Sequence, residues 1–218
     1  MVRGRKGVWI AGAPLVLAAV LSACGGDDED DSLTASRVCD GLFSQHAAAD
    51  ALRKLTGASL FADTSADGLP ETAKFLESEH RKGVNWSRSS STLCVVAGEE
   101  KRGSFRVQYD IYAPSDVGDT RHPEGAQLYR LGKRASARAG ESDLYFECVS
   151  PESGGAGARP VRVHGRVDAR GNRTTPNTQE FREASLSVLH AASLKVVKEM
   201  GCENSGGLSD PLVLEPVA

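Results

Sequence analysis

An alternation of apolar and polar residues over 104–113 constrains the fold of this chain more than any other feature of its sequence. The odd-numbered positions from 105 to 111 are apolar or aromatic, whereas the even-numbered positions carry Arg106, Gln108, Asp110 and Tyr112. Successive side chains of a β-strand point to opposite faces, so this period of two predicts a strand with one buried and one solvated face. Such a strand belongs in an antiparallel sheet that covers a hydrophobic core on one side.

Four further segments have the properties of strands. Alternation recurs over 142–149 and 161–168, a short apolar run covers 92–97, and a short strand is expected over 127–131. The charged residues 98–103 begin and end with glycine, which predicts a hairpin loop between two of these strands. The expected sheet therefore has four or five antiparallel strands.

Two helices are expected before the strands. Residues 44–56 are rich in alanine, with Ser44 as a candidate N-terminal cap and Gly57 as the stop. A second helix fits 70–82, where Pro70 suits the first helical turn. Both segments carry apolar residues at helical spacing, so each can pack one side against a sheet.

A long helix is expected near the C-terminus. It follows Asn177 and Glu180, which have the spacing of a capping box, and it is expected to stop at Gly201. Helices at both ends of the chain with strands between them predict an α+β fold, with the helices packed on one face of the sheet. One domain is expected over 37–203, followed by a tail over 204–218.

The first 23 residues do not resemble part of that domain. Arg3, Arg5 and Lys6 precede an uncharged apolar run over 8–20, which is shorter than the roughly 20 residues that span a membrane. The segment Leu21-Ser22-Ala23-Cys24 follows and resembles the bacterial lipobox. This resemblance implies that residues 1–23 are a signal peptide. It also implies a lipid on the cysteine that anchors the mature chain to the extracytoplasmic face of the cell membrane. The alternative is an ordinary signal peptide beside an incidental cysteine.

The residues after Cys24 form an acidic segment. Gly25 and Gly26 are followed by five consecutive acidic residues, 27–31, which predicts a flexible tether over 24–36. Loss of the signal peptide would leave 23 basic and 29 acidic residues, and outside the acidic run the numbers are 23 and 24. A nearly neutral domain argues against nucleic-acid binding, which requires a basic face. A flexible acidic run also lacks the preformed oxygen cage that calcium needs.

Four cysteines remain besides Cys24, at Cys39, Cys94, Cys148 and Cys202. An even number of cysteines in an exported chain predicts two disulfides. Four cysteines allow three pairings, and the sequence alone does not choose between them. We favour Cys39 with Cys94 and Cys148 with Cys202, because each bond would tie a helix end to a strand. Zinc binding would require close cysteine pairs, which this sequence lacks.

The sequence contains no catalytic or cofactor motif. It lacks the G-x-S-x-G and S-x-x-K nucleophile signatures, a P-loop and any pair of histidines spaced as H-x-x-x-H. We therefore expect no catalytic residue, no metal site and no cofactor.

A binding site is harder to locate from the sequence. His164 stands between Arg162 and Arg166 on one face of its strand, a row that can meet an anionic ligand but is more often the wet side of a sheet. The irregular stretches 114–126 and 132–141 are further candidates, because loops on a rigid scaffold commonly carry binding sites.

The start of the expected domain has a family resemblance. Arg37-Val38-Cys39-Asp40-Gly41-Leu42, together with Ala51-Leu52 and Leu55-Thr56-Gly57, is similar to the mature start of uncharacterised lipoproteins of Streptomyces-like actinobacteria. The resemblance implies a Gram-positive membrane and brings no activity with it.

These features together predict a membrane-anchored, non-enzymatic module that binds a small molecule, a lipid or a protein. One alternative is a cell-envelope enzyme, hydrolase-like, which clustering of His122, His164 and carboxylates in one cleft would favour. Another is an accessory subunit of a membrane transporter or sensor, which an exposed apolar patch would favour.

Overall fold

The computed structural model describes residues 33–64, 66–83, 86–99, 103–118, 123–153, 159–170 and 176–217. They form an α+β domain with five helices and one antiparallel sheet of eight strands. The elements in chain order are β1 (Leu33–Thr34), α1 (Val38–Gly41), α2 (His46–Thr56), β2 (Leu60–Thr64), α3 (Gly68–Arg81), β3 (Ser91–Gly98), β4 (Ser104–Ile111), α4 (Pro114–Gly118), β5 (Gln127–Tyr129), β6 (Arg134–Arg138), β7 (Glu141–Cys148), β8 (Val161–Arg170) and α5 (Gln179–Glu199). The predicted signal peptide, Cys24 and the tether up to residue 32 lie outside the described residues.

The strands lie in the order β1-β2-β3-β4-β8-β7-β6-β5, and all neighbours are antiparallel. Two consecutive four-stranded meanders, β1 to β4 and β5 to β8, therefore meet where β4 pairs with β8. The chain leaves β4 in the middle of the sheet and resumes with β5 at its far edge. The connection over 112–126, which contains α4, makes this crossing.

The sheet is larger than the four or five strands that the sequence predicts. Strand β6 lies inside the stretch 132–141 that was expected to be irregular. Its inward positions are Ala135 and Ala137, and such small side chains give only a weak apolar signal. Strand β1 has two residues and β2 has five, so neither is long enough to show a clear period.

One face of the sheet, the inner face, is covered by α3 and α5. Phe105 packs edge to face on Phe43 with ring centroids 5.7 Å apart. The hydroxyl of Tyr109 shares a hydrogen bond of 3.0 Å with Ser193 of α5, so the buried phenol is satisfied. Gly165 lies beside this ring, and a Cβ at that position would stand 2.7 Å from a Tyr109 carbon. The absence of a side chain at this one position of β8 therefore lets the tyrosine pack against the strand.

Two predicted helix caps are wrong. Helix α2 begins two residues after Ser44, and no side chain caps it. At the start of α5, Asn177 donates from Nδ2 to the carbonyl of Gly125 at 2.7 Å, and Glu180 pairs with Lys54 of α2. Both polar groups of the expected capping box are thus engaged in tertiary contacts, which replace the local bond.

Both disulfides are formed with the favoured pairing. Cys39–Cys94 joins α1 to β3, and Cys148–Cys202 joins the end of β7 to the segment after α5. The bonds span 55 and 54 residues, and loops of that size correspond to about 4 kcal/mol of stabilisation each in the chain-entropy model. Two such bonds are consistent with an oxidising, extracellular location.

Parts of the predicted tether and of the predicted tail contribute to the domain. Residues 33–36, expected in the tether, include strand β1 and the buried Ala35. In the segment 204–218, expected to be a tail, Pro216 forms a β-bridge with Tyr129 of strand β5. The folded unit is therefore longer at both ends than the range 37–203.

Candidate functional site

The outer face of the sheet, opposite α3 and α5, carries a row of polar side chains on four neighbouring strands. Asp110 of β4 is the register partner of His164 of β8, and His164 is the partner of Tyr145 of β7. Tyr145 in turn pairs with Arg134 of β6. All four occupy the polar phase of strands whose other phase enters the core, so the row follows from alternation together with register.

His164 lies at the centre of this row and is only 6% exposed. Its Nδ1 is 3.2 Å from Oδ1 of Asp110, and its Nε2 is 2.8 Å from Oδ1 of Asp143. Its ring stacks on Tyr145, with centroids 4.4 Å apart and planes 10° from parallel. Both ring nitrogens therefore face carboxylates, an arrangement that a protonated imidazole satisfies by donating two hydrogen bonds.

The charges of this cluster shift the pKa of its members. Burial lowers the pKa of His164, but the hydrogen bonds and charges of Asp110 and Asp143 raise it above its ordinary value. Burial raises the pKa of Asp143, whereas the hydrogen bond and charge of His164, assisted by Arg166, lower it below its ordinary value. The Nε of Arg166 donates to Asp143 at 3.2 Å. The geometry thus favours the charged form of each group.

A cleft of about 460 Å³ opens between this outer face and α4. The guanidinium of Arg134 donates from Nη1 to the backbone carbonyl of Asp116 at 2.7 Å and so fastens the wall of the cleft to its floor. The wall residues lie within 114–126, a stretch that the sequence predicts as a candidate binding loop. The floor is formed by Arg134, Ser136, Asp143, Tyr145 and Arg166, and the wall by Ser115, Asp116 and Pro123.

Three hydrogen-bond donors of the floor have no partner for the donating group among the described residues. They are the terminal nitrogens of Arg166, whose side chain is 57% exposed, and the hydroxyls of Tyr145 and Ser136. Ser136 itself is only 5% exposed. By contrast, the carboxylate of Asp143 already accepts two hydrogen bonds. The cleft therefore offers mainly donors to a molecule that enters it.

The phenol of Tyr145 lines the cleft together with Arg134 and Arg166. Burial, helped by the charges of Asp143 and Asp116, raises the pKa of Tyr145 to about 12, and the positive charges of Arg134 and Arg166 act in the opposite direction. The hydroxyl is therefore protonated at neutral pH and is available as a donor in the cleft.

The structure corrects the expectation for His164. The prediction placed it on the solvated side of the sheet, and it does lie on the outer face, but the side chain is buried. Asp110 and Asp143 come from the neighbouring strands β4 and β7, so their approach depends on register that the sequence does not show. Of the histidines in the enzyme alternative, His164 does cluster with carboxylates, and His122 lies outside the described residues.

Other histidines have the ordinary roles expected of them. His190 is buried in α5, where its Nε2 lies 2.8 Å from the carbonyl oxygen of Ser209. His46 pairs with Asp50 on an exposed face of α2. Neither residue lies in a cleft with other polar side chains, so neither defines a site.

Two further clefts lie on the helical side of the domain. One of about 280 Å³ is bounded by α1, the start of α3 and Lys195, and another of about 560 Å³ follows α5 past Lys195 and Lys198. Neither brings a buried polar residue without a partner to its surface. The outer-face cleft is therefore the candidate site.

Comparisons with known proteins leave this site without a precedent, because no family model, curated protein or solved structure matches the chain. Within the described ranges, no three metal-ligating side chains are grouped so that they could hold an ion. In the same ranges, no helix has the length and apolar character needed to cross a membrane. The role of the cleft is therefore inferred from its own geometry and charges.

Proposed function

We propose that this protein is a membrane-anchored extracytoplasmic lipoprotein whose domain is a non-enzymatic binding module for a small polar ligand. The observation that carries the proposal is the outer-face cleft. Donors without partners converge there on a space of about 460 Å³ that one strand connection covers. Concave sites with a few convergent polar groups are the usual form of small-molecule sites.

Binding fits this geometry better than catalysis. A general base needs an unshared lone pair within hydrogen-bond reach of the substrate. Both nitrogens of His164 face carboxylates instead, and the ring is buried beneath Tyr145. His164 thus holds Asp143 in place, and Asp143 orients Arg166.

A cell-envelope hydrolase is the second candidate function. The grouping of His164 with Asp110 and Asp143 favours it, because histidine and carboxylate pairs also activate nucleophiles. Ser136 is the serine on the cleft floor, and the hydrogen bonds of His164 go to carboxylates rather than to that hydroxyl. This arrangement places the hydrolase second.

The proposed anchor is supported by the sequence and by the disulfides. The lipobox-like segment ends at Cys24, which precedes the acidic run. The two disulfides fit a chain that folds after export, because cytosolic proteins rarely retain such bonds. A diacyl anchor would hold the domain stably at the membrane surface.

Native mass spectrometry of the protein extracted from its own membrane tests both parts of the proposal. We expect a covalent lipid mass on Cys24 and an additional non-covalent mass in the cleft. Ser115 is exposed on the cleft wall, so Ser115→Trp should fill the cleft and remove the second mass. Ser59→Trp, at an exposed position between α2 and β2, is the matched control and should retain it.

The lipid anchor and the binding function can be contradicted separately. A lipidated protein without any bound mass would contradict the small-ligand site and favour the accessory-subunit alternative. An unlipidated chain would contradict the anchor. Hydrolysis that disappears in a His164→Leu variant with unchanged folding would reject the non-enzymatic assignment.

A further inference from the structure

Building on the proposed function, we infer that the ligand of the outer-face cleft carries an oxyanion, a carboxylate or a phosphate, held by the guanidinium of Arg166 in a cleft to which Arg134 adds a second positive charge. The two arginines belong to β6 and β8, which flank β7. Both line the same cleft.

The register places the two arginines on the same face of the sheet. Arg134 is the cross-strand partner of Tyr145, and Arg166 is the partner of Asp143. Tyr145 and Asp143 are two residues apart on β7 and therefore point to the same face.

The hydrogen-bonding balance of the cleft calls for acceptors on the ligand. The terminal nitrogens of Arg166, the Tyr145 hydroxyl and the Ser136 hydroxyl find no acceptor among the described residues. Leaving such donors unpaired when a ligand excludes water would cost free energy. An oxyanion supplies several acceptor lone pairs at once, and a planar guanidinium fits a carboxylate or phosphate with two parallel hydrogen bonds.

The acidic groups of the site are already engaged. Asp143 accepts from His164 and from Arg166, both with its Oδ1. The carboxylate of Asp116 accepts from the backbone N–H of Ala113 at 2.8 Å. These carboxylates thus support the scaffold of the site, whereas the terminal nitrogens of Arg166 and the hydroxyls face the ligand.

The inference is tested with the detergent-solubilised full chain by isothermal titration calorimetry, with inorganic phosphate, acetate and the neutral sugar glucose as probes. We expect saturable binding of phosphate or acetate and none of glucose. Arg166→Gln should weaken that binding by about 10-fold or more, because it removes a charge-assisted hydrogen-bonding group. Arg134→Gln should weaken it less, because the Arg134 guanidinium is already engaged by the Asp116 carbonyl.

Arg138→Gln is the matched control. Arg138 lies on the same strand and outer face as Arg134, but it pairs with Glu141 outside the cleft. Its removal changes the net charge equally and should alter anion affinity by less than about 2-fold, since exposed charges act weakly at a distance. If Arg134→Gln fails to fold because it releases Asp116, Arg166→Gln remains informative, because the Arg166 side chain is largely exposed.

The outcomes separate the inference from the proposed function. Tighter binding of phosphate than of acetate identifies a phosphate ligand, and the reverse order identifies a carboxylate. Equal losses in Arg166→Gln and Arg138→Gln would overturn the inference, as would unchanged affinity in Arg166→Gln. A neutral or cationic molecule that co-purifies and is lost only in Ser115→Trp would overturn the inference while supporting the binding function. The absence of both anion binding and a co-purifying molecule would contradict both.

Discussion

Phe146 and Tyr145 are adjacent on β7, point to opposite faces of the sheet and have different surroundings. Phe146 is fully buried on the inner face, among side chains of the apolar core. Tyr145 stacks on His164 on the outer face and lines the cleft. One strand thus contributes to an apolar core with one phase and to a charged cluster beside a cleft with the other.

The two faces are consequently stabilised by different interactions. Apolar burial on the inner face is non-directional and has little dependence on pH. His164 is almost as inaccessible as Phe146, but its burial is tolerated because Asp110 and Asp143 compensate its charge. The outer face should therefore respond to pH and to charge substitutions, and the inner face to changes of volume.

The largest expected effect is on the inner face. Phe146→Ala removes a fully buried aromatic ring and should lower the free energy of unfolding by about 3–5 kcal/mol. Tyr145→Phe, one residue away, removes only a partly exposed hydroxyl and should change it by less than about 1 kcal/mol. Urea unfolding of both variants measures the difference, and equal losses would show that the two faces are not distinct in this way.

A somewhat smaller loss is expected at His164. His164→Leu leaves Asp110 and Asp143 without their shared cation, and we expect a loss of about 2–4 kcal/mol. The carboxylate side chains are 30% and 21% exposed, and solvent reduces the effect below that of a fully buried pair. Adding Asp110→Asn and Asp143→Asn should recover part of the stability. A triple variant less stable than His164→Leu would argue against a charge effect.

Gly165 lies on β8 between His164 and Arg166, and its own position faces the inner side of the sheet. A Cβ at this position would lie 2.7 Å from Cε1 of Tyr109 and 3.1 Å from Cδ1 of Leu189, so Gly165→Ala should destabilise by about 1–3 kcal/mol. Gly118→Ala is the control, because nothing lies within 4 Å of its added Cβ. Thermal unfolding of the pair checks this, and a neutral Gly165→Ala would mean that the inner-face packing relaxes easily.

The smallest expected effect is the pH dependence of stability. His164 has a raised pKa, so its contribution is complete below the unfolded value of about 6.5 and is lost as pH rises through the folded value. Asp143 has a lowered pKa, so its contribution is present above the unfolded value of about 3.9 and is lost as pH falls through the folded value. Each proton that one state binds and the other does not changes the free energy of unfolding by at most about 1.4 kcal/mol per pH unit.

Subtracting the pH profile of the His164→Leu variant from that of the unsubstituted protein isolates the contributions of His164 and Asp143. His80 and His190 have lowered pKa values, chiefly through burial, so their contributions decrease as pH falls and have the opposite sign to that of His164. Urea unfolding across the pH range should show a fall in stability on the alkaline side that is absent from the variant. An identical alkaline slope in both proteins would assign the dependence to other groups.

Sequence patterns located the strongly periodic elements well. The segment predicted over 104–113 is β4 at Ser104–Ile111, and the one over 142–149 is β7 at Glu141–Cys148. Strand β6 was missed because its inner positions are alanines. Sequence patterns thus located the strands that carry large apolar side chains and missed the strand whose inner side chains are small.

The candidate site was less predictable than the fold. The sequence singled out His164 and Arg166, but it linked neither to Asp143 or to Tyr145. These residues are separated by about twenty positions and meet only through the pairing of β7 with β8. The disulfide pairing was easier to infer, because it required only a bond between each helix end and a nearby strand.

By itself, the sequence determined the α+β class, the presence of four cysteines for two disulfides and which side of each periodic strand is apolar. These properties are local, because alternation and helical spacing are set by the geometry of a single element. Only the tertiary structure decided that β4 pairs with β8 and that α4, which follows β4, lies beside the outer face. Register between distant strands depends on the packing of the whole core, and that register places Asp110, His164, Tyr145 and Arg134 in one row beneath a cleft.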